Sequence, residues 1–515
     1  MAQRKGKYAG LLTGFLLGTE AAFADLEVSI LPGMPTFDLV GLCDSSVRES
    51  KERVRSAIRQ SGFEFPTGRI TVNISPGYLR KSGSSFDLPI AIGILRASGQ
   101  IQQKSAQNIF SFGELSLTGE VRDVPGGLNY LFRSREIEEI IRIIPVPALR
   151  EAEFLRCNAV GVKTLREAIR FLSGEPIDNH SFRKEGHPEG ERDASIPLDF
   201  SLLRGQPKAG RAILLSAAGC HPLLLTGSPG SGKTMAVRVL LGLLPALNEK
   251  EHTEILRIQN SVRLLNDFDY MNMQRPFRTV PSTSSVADIR GTKSSRNIGE
   301  LQLARHGILF LDEMAEFSPR VIESLRKPLE EREGESAADL RGDAGGFLLV
   351  GATNPCRCGN ALEPGGKCRC SEREVKRYAD RISGPILDRI DLYTELRRIH
   401  ADALADAAFG KNAHDSERLR EQVLETWNFQ EARCAENGSR PILNGSNPTD
   451  QPFDFFRISP SAMETAVKGC ERLGISARGM GHLLRVARTA ADLERNRDVL
   501  ASHILEALQF RRRQI

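Results

Sequence analysis

The octapeptide Gly227-Ser228-Pro229-Gly230-Ser231-Gly232-Lys233-Thr234 follows the apolar run Pro222-Leu223-Leu224-Leu225 and precedes a stretch, Met235 to Leu244, with helical apolar spacing. That order demands a buried strand, a glycine-rich loop and a helix in succession. Glycines let the backbone curl until consecutive N–H groups converge on phosphate oxygens, and the helix N-terminus adds positive potential. In this pattern Lys233 reaches the β- and γ-phosphates and Thr234 offers a hydroxyl to Mg²⁺. The chain is therefore expected to bind ATP or GTP.

Downstream, Gly307-Ile308-Leu309-Phe310-Leu311 is an apolar strand that ends in Asp312 and Glu313. Two acids at the end of a buried strand beside a phosphate loop suit hydrolysis. Asp312 would join Thr234 in holding the Mg²⁺ shell, and Glu313 would polarise a water aimed in line with the γ-phosphate. A third apolar run, Phe347 to Thr353, ends in Asn354.

At 515 residues the chain has length for three or four domains. It has 70 basic against 65 acidic residues, a mildly basic balance that neither requires nor excludes nucleic acid. No apolar run reaches the length of a membrane span. Arg4, Lys5 and Lys7 before Tyr8 to Ala24 imitate a signal peptide, but Thr13, Gly14, Gly18, Thr19 and Glu20 break the apolar stretch, so a cytoplasmic chain is expected. Residues 173–198 are polar, with prolines and glycines and no apolar period, and read as a linker. They divide an α+β domain, 1–172, from an α/β nucleotide-binding core with a parallel sheet, 199–397. A mostly helical region, 398–515, follows.

Ordered motifs along nearly the whole chain resemble the ComM/YifB group of magnesium-chelatase-like AAA+ proteins. They include Pro32-Gly33-Met34-Pro35, Val47 to Ile58, Arg69 to Ile74, Phe86-Asp87-Leu88-Pro89-Ile90-Ala91, Arg204-Gly205-Gln206 and both phosphate-site elements. Asn354-Pro355-Cys356-Arg357-Cys358-Gly359, Ser383 to Asp391 and Ser476-Ala477-Arg478 complete the series. The resemblance implies a ring-forming, hexameric ATPase in which Asn354 orients the attacking water, Arg389 is an arginine finger for the next subunit's nucleotide with Arg381 as the alternative, and Arg478 is the sensor 2 arginine of a helical lid. It also implies a DNA branch-migration motor acting on single-stranded or branched DNA. The N-terminal part resembles the proteolytic domain of Lon proteases on a ribosomal-S5-like frame. Ile90 and Asn129 fall where that family has its Ser and Lys, so residues 1–172 are expected to bind or assemble, or to act as a protein adaptor, without cleaving peptides.

Cys356, Cys358, Cys368 and Cys370 are four of the nine cysteines, gathered on one glycine-bearing loop. Four thiolates suit a closed, tetrahedral, structural Zn²⁺ site. Cys-x-Cys pairs stand too far apart on extended backbone, so each pair requires a turn.

The family's channel hairpin would fall at 333–346, which carries four acids against one base, Arg341, and is poorly suited to phosphate. Pro281 and Ser282 also stand where the family usually has two histidines. Residues 451–515 lean the other way, with 11 Lys/Arg against 7 Asp/Glu. Two readings of the substrate follow: DNA, from the resemblance, or a protein to be remodelled, from the acidic hairpin. A metal-inserting chelatase subunit is a weaker third, because those motors lack the Lon-like domain.

Overall fold

The computed structural model describes residues 7–101, 108–177, 197–203, 205–262, 265, 270–292, 298–331, 346–363, 368–398, 415–438, 442–447 and 453–511. The stretch 333–346 expected to form the channel hairpin, apart from Gly346, lies outside them, as do Arg204 and most of residues 173–198. Two compact units result: Met1–Glu189 with His252–Asn272 and Thr292–Ile298, and Gly190–Glu251 with Met273–Gly291 and Gly299–Ile515.

In the first unit, the stretch that imitates a signal peptide forms two strands instead. β1 (Lys7–Leu17) pairs antiparallel with β2 (Glu20–Leu31) through a turn at Gly18, whose φ of 64° an ordinary side chain resists. Period-two alternation sends Leu11 and Phe15, then Leu26 and Val28, into the core. With β3 (Thr36–Val40), β4 (Arg69–Ser75), β5 (Asn108–Ser111), β8 (Ile140–Pro145) and β9 (Val160–Val162) they build a sheet of order β3-β4-β2-β1-β5-β8-β9. β6 (Glu114–Leu115) and β7 (Val121–Arg122) form a separate ribbon. Helix α1 (Ser45–Gln60) starts at an Asp44 cap that accepts from Val47 N at 3.0 Å. Helix α2 (Asp87–Ser98) lies on β1 and β2, nearly all of it buried. Helices α3 (Gly127–Ser134), α4 (Leu149–Phe154) and α5 (Leu165–Leu172) complete the unit. A segment from much later in the chain also belongs here. Asn260 Oδ1 accepts from Leu128 N at 3.0 Å at the start of α3, and Tyr270 donates to Glu151 at 3.2 Å.

The second unit is a mixed α/β body. Five parallel strands, β10 (Leu223–Gly227), β11 (Phe277–Val280), β12 (Ile308–Leu311), β13 (Leu348–Thr353) and β14 (Leu392–Leu396), take the order β11-β12-β13-β10-β14. Their near-continuous apolar runs suit strands covered on both faces. Helices α6 (Pro207–Gly219) and α7 (Lys233–Leu243) share one core with Leu225, Phe310 and Val350, and helices Asp415–Glu436, Pro460–Leu473, Ala477–Leu493 and Ala501–Leu508 join that core. Leu224, Leu309, Leu349 and Met314 anchor the opposite layer. No helix among the described residues is long and apolar enough to cross a membrane.

Candidate active site

Parallel pairing brings the carboxyl ends of β10, β12, β13 and β14 to one edge of the sheet, with Thr226 opposite Thr353 and Gly227 opposite Leu396. Ligands of open parallel sheets bind at that edge. The loop Ser228–Gly232 leaves β10 there and turns into α7 at Gly232, whose φ is 87°. Gly227 accepts no side chain: a Cβ would stand 2.5 Å from Ser231 Oγ and 2.6 Å from the Leu396 carbonyl. Gly230 is likewise left-handed, while Ser228 and Ser231 are buried and Pro229 sits between them.

Lys233 gathers the edge together. Its ammonium donates to the Gly227 carbonyl at 2.7 Å and to Asn354 Oδ1 at 3.0 Å. Partial burial lowers its pKa, opposed by the charges of Asp312 and Glu313. Thr234 donates to Asp312 Oδ2 at 3.4 Å. Glu313 is exposed and left-handed at φ 53°, a conformation uncommon for a residue with a side chain and typical of functional turns. Five residues proposed from separate stretches of sequence thus meet at one edge. A hydroxyl and a carboxylate in contact fit the ligand set of a nucleotide-bound Mg²⁺, which neutralises phosphate charge when bound.

The arginines form a second group. Arg389 is buried, paired with Glu330 on the helix Arg326–Glu331 and donating to the Pro385 carbonyl. Burial, then the like charges of Arg478 and Arg326, hold its guanidinium down to about 10. A cavity of about 880 Å³ lies alongside, lined by Asp388, Ser476, Gly479 and Arg511 among others. Arg381, the alternative finger, is engaged elsewhere, with Glu316 at 2.7 Å.

The cysteine loop adjoins the phosphate loop. Sγ separations are 3.4 Å for Cys356–Cys358, 3.7 Å for Cys356–Cys368 and 3.6 Å for Cys358–Cys368, and all four ligand atoms, Cys370 included, lie within 4.8 Å of one another. Tetrahedral Zn–S bonds of about 2.3 Å put sulfurs about 3.8 Å apart, so the donor set fits zinc. At the first pair the turn that Cys-x-Cys needs is present, closed by Gly359 N donating to the Cys356 carbonyl at 2.9 Å. Backbone N–H groups of Arg369 and Asn360 hold the Cys358 thiol down to about 6, while desolvation and the sulfurs beside them push Cys368 up to about 11 and Cys370 up as well.

Two groups escaped sequence reading. Arg398 donates to the Pro229 carbonyl at 3.1 Å and stands 3.6 Å from Glu363, bridging both loops. Its place just past the end of β14, at the edge where ligands bind, was the available signal. In the first unit, Ile90 is fully buried in α2 and Asn129 is exchanged with Arg257, its Nδ2 donating to that carbonyl at 2.8 Å. The serines that line a cavity of about 300 Å³ there are Ser82, Ser84, Ser85 and Ser261, beside Tyr130.

Three family models match the chain: magnesium chelatase subunit ChlI over residues 199–404, subunit ChlI of Mg-chelatase over 26–147, and the ChlI C-terminal region over 413–511. Competence protein ComM of Haemophilus influenzae is 34% identical over 506 residues, 96% of each chain. YifB of Escherichia coli is 33% identical over 504 residues, 96% of this chain and 95% of its own. The magnesium-chelatase 38 kDa subunit of Cereibacter sphaeroides is 23% identical over 331 residues, 60% of this chain and 89% of its own. With whole-length identity to ComM and YifB and a phosphate loop at the edge of a parallel sheet, this chain belongs to the ComM/YifB family of magnesium-chelatase-like AAA+ proteins.

Proposed function

We propose that the chain is a subunit of a hexameric ring motor that hydrolyses ATP and moves single-stranded or branched DNA, as a branch-migration helicase in the uptake and recombination of transforming DNA. The observation that carries the ATPase part is the meeting of Lys233, Thr234, Asp312, Glu313 and Asn354 at one sheet edge. With ATP bound, Lys233 would exchange its carbonyl contacts for phosphate oxygens, Thr234 and Asp312 would hold Mg²⁺, and Glu313 with Asn354 would aim the water. Arg389 and Arg478, crowded together, serve the nucleotide of the next subunit, where a finger is worth about 10³- to 10⁵-fold in rate. The first unit is read as a Lon-like adaptor without peptidase activity, since a buried Ile90 and an engaged Asn129 supply neither nucleophile nor base. The zinc site is read as a structural clamp beside the phosphate loop.

The DNA part rests on the likeness to a competence protein. One observation favours a protein substrate instead, the acidic stretch 333–346. ATP turnover with single-stranded DNA, forked DNA or an unfolded protein, each at stated salt, separates the readings. A DNA motor is stimulated by forked or single-stranded DNA, less so as salt rises. Stimulation by the unfolded protein alone would replace it with the remodeller.

A further inference from the structure

Asp391 lies just beyond Arg389, at the start of β14, and is fully buried. His221 Nδ1 stands 2.6 Å from its Oδ2, His482 Nδ1 stands 2.5 Å from its Oδ1, and Arg485 Nη2 donates to that Oδ1 at 3.0 Å. His482 and Arg485 belong to the helix Ala477–Leu493, whose first turn carries Arg478. Burial alone would push the Asp391 carboxyl up, but Arg485 and the two imidazoles hold it well below the usual carboxylate range. A charge this deep is tolerated only with its partners in place, so the hub admits one arrangement of strand and helix.

His221 has a further hold. Its Nε2 meets Thr489 Oγ1 at 2.7 Å, and Asn444 donates to that oxygen at 3.0 Å and to Asp492 at 2.8 Å. The start of β10, which leads to the phosphate loop, is therefore fastened to the same helix by contacts that do not pass through Asp391. The peptide leading from Arg389 into β14 meets the helix that carries Arg478 at the Asp391 side chain, and Arg511, beyond the helix Ala501–Leu508, donates to the Ile390 and Asp391 carbonyls at 2.9 and 3.2 Å.

We infer that Asp391 is a positioning residue whose carboxylate locks the strand after Arg389 to the helix bearing Arg478, so that both guanidiniums reach a neighbouring subunit's nucleotide as one rigid pair. This rests on the proposed action of those arginines across the ring. It predicts a particular kind of damage. Loss of the carboxylate spoils what a subunit gives to its neighbour and spares what it needs for its own nucleotide.

Mixed rings read that asymmetry. Lys233→Ala subunits keep their arginines and lack a nucleotide site; Arg389→Ala subunits keep the site and lack a finger. Mixing these two full-length variants, each inactive alone, restores ATP turnover if the arginines act across the ring; failure of this control sinks that reading, whatever Asp391 does. Asp391→Asn preserves shape and removes the charge. Its turnover should fall about ten- to a hundredfold, the range for a displaced catalytic group, with affinity for a fluorescent ATP analogue unchanged. Mixing it with Lys233→Ala should restore turnover, and mixing it with Arg389→Ala should not. Should Asp391→Asn fail to fold, His482→Leu removes one contact without stranding a charge and should complement in the same pattern. His482→Asn, which keeps a donor at the Nδ1 point, should turn over faster than His482→Leu. Parental turnover in Asp391→Asn, or restoration by neither or by both partners, would overturn the assignment.

Discussion

Gly359 shows how one residue ties two chemistries together. Its φ is 80°, and a Cβ there would stand 2.4 Å from Pro229 Cδ, so the cysteine loop lies flush on the phosphate loop only because the position is glycine. Binding energy at a closed Cys₄ site is folding energy for the loop that carries it. Replacing Cys358 and Cys370 by Ser is therefore expected to remove about one zinc equivalent per chain, by metal analysis, and to raise the KM for ATP, because Pro229 loses its backing. Full metal content in the double variant would strike out the site. The four cysteines were legible because they fall within fifteen residues of one another. The contact of Gly359 with Pro229 was not, since nothing in either motif states which face of the loop turns inward.

At the scale of elements, the helix Ala477–Leu493 carries a neutral histidine at its centre. Burial first, then the neighbouring Arg485 charge, hold the His482 imidazole down to about 3, while in the unfolded chain it titrates near its ordinary value. A group whose folded pKa is depressed binds more protons unfolded, so the stability it permits is present above pH 6.5 and is lost as pH falls toward 3. Between pH 7 and pH 5 that amounts to about 2 kcal/mol. Trp427, the chain's single tryptophan, donates to the Ala217 carbonyl in the same unit and reports its unfolding by fluorescence in urea. His482→Asn should flatten the pH dependence over this window; an unchanged slope would mean another group titrates. Elements were the most legible scale where a signal was local. The apolar runs before Asp312 and Asn354 emerged as β12 and β13. Distant chain decides elsewhere: residues 252–272 lie between β10 and β11 in sequence, yet they belong to the first unit, where Asn260 meets α3.

For the whole molecule, the central claim is that the edge of the five-stranded sheet is an ATP-hydrolysing site whose parts have separable tasks. Lys233 touches phosphate in the ground state, so Lys233→Ala should abolish nucleotide binding. Glu313 serves the attack, and its removal affects mainly the transition state. The ring reading adds that a subunit able to bind but not hydrolyse holds its neighbours together. The most direct measurement is ATP binding and turnover on Glu313→Gln: stoichiometric binding in a stable ring, with hydrolysis lower by about 10²- to 10⁴-fold, is the expected result. Turnover at the parental rate would contradict the assignment of the site.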